Sequence, residues 1–287
     1  MDMQIELKDV SANYQIGPIR KPNVLNDVNL TIESGTFTAL IGRTGAGKSS
    51  LLKTLNGLLL PTKGSVRIGE TIIKPPYSKE AIRIIRKQVG MVFQFPESQL
   101  FAETVEKDIC FGPLNFGVPL KEAKEIAKKV ITLVGLEPAI LSKSPFSLSG
   151  GQKRRVAIAG ILAMEPSVLI LDEPGAGLDP QGKKEIMSLI STWHQQEGLT
   201  TILVTHDMED VAIYADRVIL MDQGQIIKYE KTENIFSDTD LLESWGLEMP
   251  QARRYQIKIE QEAGIKLPMV CLTLEELADA LVSVGLV

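Results

Sequence analysis

Only two cysteines occur in the 287 residues, Cys110 and Cys271, and neither belongs to a CxxC pair or neighbours a histidine cluster. This excludes a disulfide scaffold and a cysteine-based zinc site, and it leaves two idle thiols of a reducing compartment. Long apolar runs are also missing. The stretch Val168 to Leu171 falls far short of the roughly 20 residues that a membrane-crossing helix requires. The first ten residues lack the basic and apolar regions of an export signal, so attachment to a membrane has to come through another chain. Positive charge is not in excess either: 31 Lys and Arg face 36 Asp and Glu, a formal net charge of −5. A chain of this sign has no long-range attraction to a polyanion, and no nucleic-acid partner is expected.

What is present is the composition of a folded domain, with an apolar fraction of 44% that rules out general disorder. Ile5 to Tyr14 and Val24 to Ile32 alternate apolar and polar positions as strands do, and Ser34-Gly35 turns the second run. Thr36 to Ile41 reads as a short buried strand, followed by a glycine-rich loop and a helix over Ser49 to Leu59 that Pro61 stops. Gly64 to Ile73 predicts a hairpin about Gly69, and Gln88 to Gln94 another core strand. The chain then turns helical over about 97–164, with the amphipathic Leu120 to Val134 as its clearest member. Strand patterns resume at Val168 to Leu171, Thr200 to Thr205 and Val218 to Met221, with a helix over Gln181 to Gln196. Alternating strands and helices imply a largely parallel sheet covered on both faces. Beyond about Tyr229 the pattern changes again. Thr273 and Glu276 form a capping box, and Leu274, Leu277, Ala278, Leu281 and Val282 share a helix face, which suggests a small C-terminal appendage.

Gly42-Arg43-Thr44-Gly45-Ala46-Gly47-Lys48-Ser49 fits the phosphate-loop pattern G-x-x-x-x-G-K-[ST] between a predicted strand and a predicted helix. Glycines let backbone N–H groups converge on phosphate oxygens, and the helix N-terminus adds a favourable dipole. Lys48 reaches the outer phosphates, and the Ser49 hydroxyl can ligate Mg²⁺. The apolar run Val168 to Leu171 ends in Asp172-Glu173, adjacent carboxylates that are costly at a strand end unless a cation or a reaction uses them. Asp172 suits Mg²⁺ through its water shell, and Glu173 suits a general base for an attacking water.

A second glycine loop, Ser147-Leu148-Ser149-Gly150-Gly151-Gln152, opens another helix. Alone it reads equally as a flexible turn with an N-cap, since one nucleotide already has its cradle. The pentapeptide Leu148 to Gln152, however, resembles the LSGGQ signature of ATP-binding cassette (ABC) ATPases, and the family's other motifs follow in order. By that resemblance, Tyr14 stacks on adenine, Gly42 to Ser50 hold the phosphates, and Gln94 is the Q-loop glutamine that reaches Mg²⁺ and the catalytic site. Asp179 is the D-loop aspartate and His206 the switch histidine. Taken singly, Tyr14 would pass for a strand aromatic and His206 for a helix cap. The resemblance covers Ile5 to about Tyr229. It implies an α/β fold: a P-loop NTPase core with an antiparallel β subdomain, a helical signature subdomain and the C-terminal appendage. It also implies composite sites, in which Ser149, Gly150, Gly151, Gln152 and Asp179 of one subunit close over ATP held by the other.

A narrower resemblance rests on VFQFPESQLF at Val92 to Phe101 and RRVAIAGILAMEP at Arg154 to Pro166. Both are similar to the ATPase subunits of energy-coupling factor (ECF) transporters, most of all to the second of their two types. This implies an ATP hydrolase peripheral to the cytoplasmic face of the cell membrane, powering uptake of a vitamin or transition-metal ion. Its partners would be a second related ATPase, in a heterodimer or alternatively a homodimer, a membrane coupling protein, and a membrane protein that binds the cargo. The alternative is the ATPase of an importer that depends on an extracytoplasmic binding protein. Phe95, Pro96, Leu100 and Phe101 are either exposed contacts for the coupling protein or core of the helical subdomain. Residues 1–228 are expected to form the nucleotide-binding domain and 229–287 a dimerisation domain, or else an edge cover for the sheet. Two positions depart from the family: Gly175 stands where threonine is common, and Ser50 replaces a frequent threonine.

Overall fold

The computed structural model describes residues 3–16, 19–20 and 23–286. The chain opens with β1 (Ile5–Ala12), a small ribbon of β2 (Gln15–Ile16) and β3 (Ile19–Arg20), then β4 (Leu25–Ile32) and β5 (Phe37–Ile41). The phosphate loop leads into α1 (Lys48–Leu55), followed by β6 (Lys63–Ile68), β7 (Thr71–Ile73), α2 (Lys79–Gln88) and β8 (Val89–Val92). The helical region comprises α3 (Val105–Asn115), α4 (Leu120–Leu133) and α5 (Gly150–Leu162). The core resumes with β9 (Val168–Asp172), α6 (Pro180–Glu197), β10 (Thr200–Val204), α7 (Met208–Tyr214), β11 (Arg217–Asp222) and β12 (Gln225–Lys231). Four helices finish the chain: α8 (Thr232–Ser237), α9 (Thr239–Trp245), α10 (Gln251–Ala263) and α11 (Leu274–Ser283).

Among the described residues the strands form a six-stranded sheet in the order β12-β11-β5-β10-β9-β8 and a four-stranded sheet in the order β4-β1-β6-β7. The smaller sheet is antiparallel, and the larger is parallel except for β12. Its central strands are apolar on both faces because both faces are covered. Leu40, Val168 and Ile170 point into a core shared with the antiparallel sheet. Ala39, Ile41, Leu169 and Leu171 point the other way, toward the helical layer. There α4 buries Ala123, Ala127, Val130 and Ile131, spaced as one helix face.

Several expectations shift by a few residues. The first helix ends at Leu55 rather than Leu59, and the strand expected over Gln88 to Gln94 is Val89–Val92, since α2 runs through Gln88. The division expected after residue 228 falls inside β12, which extends the core sheet to Lys231. Ile235, Phe236 and Leu242 of α8 and α9 then pack into the main core. Among the described residues of this region, α10, α11 and the connection between them have a cluster of their own, built on Ala252, Leu267, Cys271, Leu277 and Ala280.

The apolar face expected on α11 is divided. Leu277 is 5% exposed and packs inward, whereas Leu274 at 50% and Val282 at 61% face outward. Both cysteines are free and buried, and burial pushes both thiols above their ordinary range. No described helix is long and apolar enough to cross a membrane.

The capping box on α11 is formed: Thr273 Oγ1 accepts the Glu276 amide at 3.2 Å, and Glu276 Oε2 accepts the Thr273 amide at 3.3 Å. Thr273→Ala removes this cap at a cost of about 1 kcal/mol, so amide exchange in α11 should quicken roughly fivefold while that of β5 stays unchanged.

Candidate functional site: a phosphate cradle at the ends of three strands

Register builds the site. Val204 at the end of β10 pairs with Leu40 of β5 on one side and Asp172 of β9 on the other. The next residues along each strand therefore emerge at one edge: the phosphate loop after β5, Glu173 after β9, and Thr205-His206 after β10. Ligands of parallel α/β sheets bind at this carboxyl edge. A cavity of about 560 Å³ opens there, and among the residues that line it are Tyr14, Lys48, Gln94, Asp172, Glu173 and His206.

The loop is shaped by crowding. Gly42 has φ of +146°, and a Cβ there would stand 2.1 Å from the carbonyl oxygen of Met221, so no larger residue fits. Lys48 donates to the carbonyls of Gly42 at 2.7 Å and Arg43 at 3.1 Å, folding the loop around its own ammonium. Burial pulls this ammonium below the usual lysine range, opposed by the charges of Glu173 and Asp172. An incoming polyphosphate would replace those carbonyls as the partner of Lys48. Tyr14 stands beside the loop, where its hydroxyl accepts from Ser50 Oγ at 3.4 Å. The Lys53 ammonium lies 5.6 Å from the centre of the Tyr14 ring.

Ser49 Oγ donates to Asp172 at 3.2 Å. Burial raises the Asp172 carboxyl above the usual range, with the Ser49 hydrogen bond opposing. Glu173 is held at both oxygens: Oε2 accepts from the Gln94 amide at 3.0 Å, and Oε1 lies 3.0 Å from His206 Nε2. Among the described residues no cluster of three or more His, Cys, Asp and Glu is disposed to hold a metal ion unaided.

The predicted residues divide into three groups. Tyr14, Thr44, Gly45, Gly47, Lys48, Ser49, Ser50, Gln94, Asp172, Glu173 and His206 line the cavity. Gly42 and Arg43 line the adjoining space beside Trp245, and Ala46 is buried in the loop. Ser149, Gly150, Gly151, Gln152 and Asp179 do not line the cavity. Ser149 and Gln152 instead complete a capping box on α5, and Asp179 caps α6 by accepting the Gly182 amide.

Asn23, Val24, Gln223 and Gly224 also line the cavity and were not expected there. Their signal is weak, since Gln223-Gly224 reads in sequence as an ordinary turn. Only the pairing of β11 with β5, and the Gly224 amide donating to Ala46 O at 2.8 Å, bring it to the phosphate loop.

Residues 25–176 match the family model described as ABC transporter. The chain is 50% identical over 282 residues to the energy-coupling factor transporter ATP-binding protein EcfA2 of Bacillus cereus, covering 98% of this chain and 96% of that protein. It is 52% identical over 279 residues to the protein of the same description from Geobacillus kaustophilus, covering 97% and 96%. The chain belongs to the ATP-binding proteins of energy-coupling factor transporters, within the ABC transporter family.

Among solved structures, cbiO1 from Clostridium perfringens, described as part of the ABC transporter complex cbiONQ, superposes with a TM-score of 0.74. It is 34% identical, with 92% of this chain and all of that one covered. An ATP-binding cassette solved as a dimer in a post-hydrolysis state with ADP and Pi gives 0.69 at 30% identity, covering 79% of this chain and 98% of that one. The chain is therefore an ABC transporter ATPase that energises transport, and the cavity is the candidate for its ATP site. Replacing the cation at its base tests this directly: Lys48→Ala should abolish ATP binding in equilibrium titration, because the charge that offsets the outer phosphates is gone.

Proposed function

We propose that this chain supplies half of each of two composite ATP sites in an energy-coupling factor transporter. One observation carries the reading: the cavity that holds the phosphate loop, the paired carboxylates and His206 includes nothing from the second glycine loop. A Cβ at Gly150 or Gly151 would meet no atom within 4 Å, so packing inside this chain does not explain either glycine. In the capping box the Ser149 hydroxyl accepts the Gln152 amide and the Gln152 side-chain oxygen accepts the Ser149 amide, and the amides of Gly150 and Gly151 are left to meet an anion from outside. A partner's nucleotide is such an anion, and the related cassette solved as a dimer supports the arrangement.

Within its own half, Tyr14 stacks on adenine while Gly42 to Ser50 wrap the phosphates. Ser49, Asp172 and Gln94 offer hydroxyl, carboxylate and amide oxygens, the hard donors that suit Mg²⁺ when phosphate oxygens complete the shell. When bound there, the ion would supply charge neutralisation for phosphoryl transfer. Glu173 takes a proton from the attacking water, and His206 and Gln94 orient around it. Ser149 to Gln152 and Asp179 serve the partner's site.

The membrane side is read from exposed aromatics. Phe95 is 49% and Phe101 59% exposed, and Phe101 stands edge-on to the exposed Phe111 with ring centres 4.9 Å apart. Pro96 is buried and Leu100 packs against the main core, so the two alternatives for this segment divide between its residues. The exposed pair suits helices of a membrane coupling protein, which holds the ATPases at the cytoplasmic face of the membrane, beside a membrane protein that binds a vitamin or transition-metal ion. A second related ATPase completes the pair.

Two measurements test this reading. Glu173→Gln should keep ATP bound and stop hydrolysis, so that ATP traps a dimer seen by size-exclusion chromatography; normal turnover would remove Glu173 from the role of base. The appendage is assigned to holding subunits together between cycles. Leu277 supports the fold of the appendage itself, so the outward positions are the ones to probe. Leu274→Glu with Val282→Glu should weaken the nucleotide-free assembly and leave ATP affinity unchanged, and a dimer of wild-type affinity would favour the edge-cover role.

A further inference from the structure

Outside the phosphate cavity, one lysine is held where the geometry of the site depends on it. Lys183 lies one turn into α6, and its ammonium meets the carboxylates of Asp207 and, at 2.8 Å, Asp210. Its stem reaches them across Gly175. A Cβ on residue 175 would stand 2.7 Å from Lys183 Cγ and 3.2 Å from Cδ. With the ammonium end engaged, that stem has no free end to swing aside. The glycine that departs from the family pattern is what lets the lysine through.

The two carboxylates build the turn that carries His206. Asp207 accepts the Glu209 amide at 2.9 Å, which closes the start of α7, and its own amide donates to Thr205 Oγ1 at 3.0 Å. Asp210 is buried and receives the same hydroxyl at 3.5 Å. His206 lies between these anchors, with Nε2 3.0 Å from Glu173. Removing the cation would leave two neighbouring like charges, one of them poorly hydrated, and the turn is the part able to yield.

We propose that Lys183 is a positioning residue for hydrolysis: it ties the turn 205–210 to α6 and so fixes His206 against Glu173. The proposal rests on the roles read above for those two residues. Because α6 is capped by Asp179, the segment that meets the partner's site and the turn that serves this chain's own site become one body.

The test uses the full chain with its partner ATPase and compares Lys183→Met, Lys183→Arg and the double variant Lys183→Met/Asp210→Asn. Lys183→Met should lower kcat by about tenfold or more, with KM and Kd for ATP changed by less than about twofold because the phosphate loop is untouched. Lys183→Arg should restore most of the rate. The double variant removes the stranded carboxylate together with the cation, so its Tm should return toward wild type while kcat stays low. A wild-type kcat in Lys183→Met overturns the proposal, and so does a kcat that recovers along with Tm in the double variant. Glu173→Gln run in parallel separates the two failures. If it hydrolyses normally, the reading of the site fails and the proposal falls with it; if it is inactive while Lys183→Met is normal, only the positioning role fails.

Discussion

Hydrogen bonds that lock β5, β10 and β9 side by side decide where the phosphate loop, Glu173 and His206 stand relative to one another. Because Leu40, Val204 and Asp172 are level, three separate loops leave the sheet at one edge. A shift of one residue in any of these strands would turn its side chains to the opposite face and carry its loop away from the others. The strands resist such a shift because alternate residues are claimed by different cores, Leu40 and Ile170 by one and Ala39 and Leu171 by the other. Packing on both faces of the sheet thus protects the alignment of the three loops.

A second constraint joins the helical layer to that edge. The buried Arg154 of α5 donates to both carboxylate oxygens of Glu97, at 2.9 and 3.0 Å, and to the carbonyls of Pro174 and Ala176, at 3.2 and 2.8 Å. The planar fork of a guanidinium serves several acceptors at fixed angles, which a lysine cannot do. One side chain thereby holds together the helix of the second glycine loop, the segment after Gln94 and the segment after Glu173. The C-terminal part of the chain is attached as well. Arg43 of the phosphate loop donates to Ser244 O at 3.3 Å and lies 5.6 Å from the centre of the Trp245 ring, and Glu209 accepts the Gln251 amide at 2.6 Å.

Much of this was legible in the sequence because local chemistry announces it. A phosphate loop needs its glycines and lysine at fixed spacing, and a doubly buried strand needs an unbroken apolar run, so Gly42 to Ser49 and Val168 to Leu171 stood out. Motifs that depend on distant pairing did not. Gln223-Gly224 is an unremarkable turn until strand order brings it to Ala46, and β12 is too polar to betray itself as a sheet edge. The helix α2 was missed because it buries only Ile85 and otherwise carries a basic, exposed surface. On α11 the spacing of apolar residues was right, yet periodicity alone does not tell an inward leucine such as Leu277 from an outward one such as Leu274.

Glu173 has a backbone φ of +50°, in the left-handed region that costs a side-chain-bearing residue free energy and glycine almost none. The site keeps the carboxylate and accepts that strain. Heat tolerance and usefulness are thereby set against each other at this residue: a library sorted by melting temperature would enrich glycine at position 173 and return a sturdier protein without the carboxylate. Engineering this chain for robustness therefore calls for a selection that watches turnover, since a purely thermal one rewards loss of the carboxylate proposed as the base.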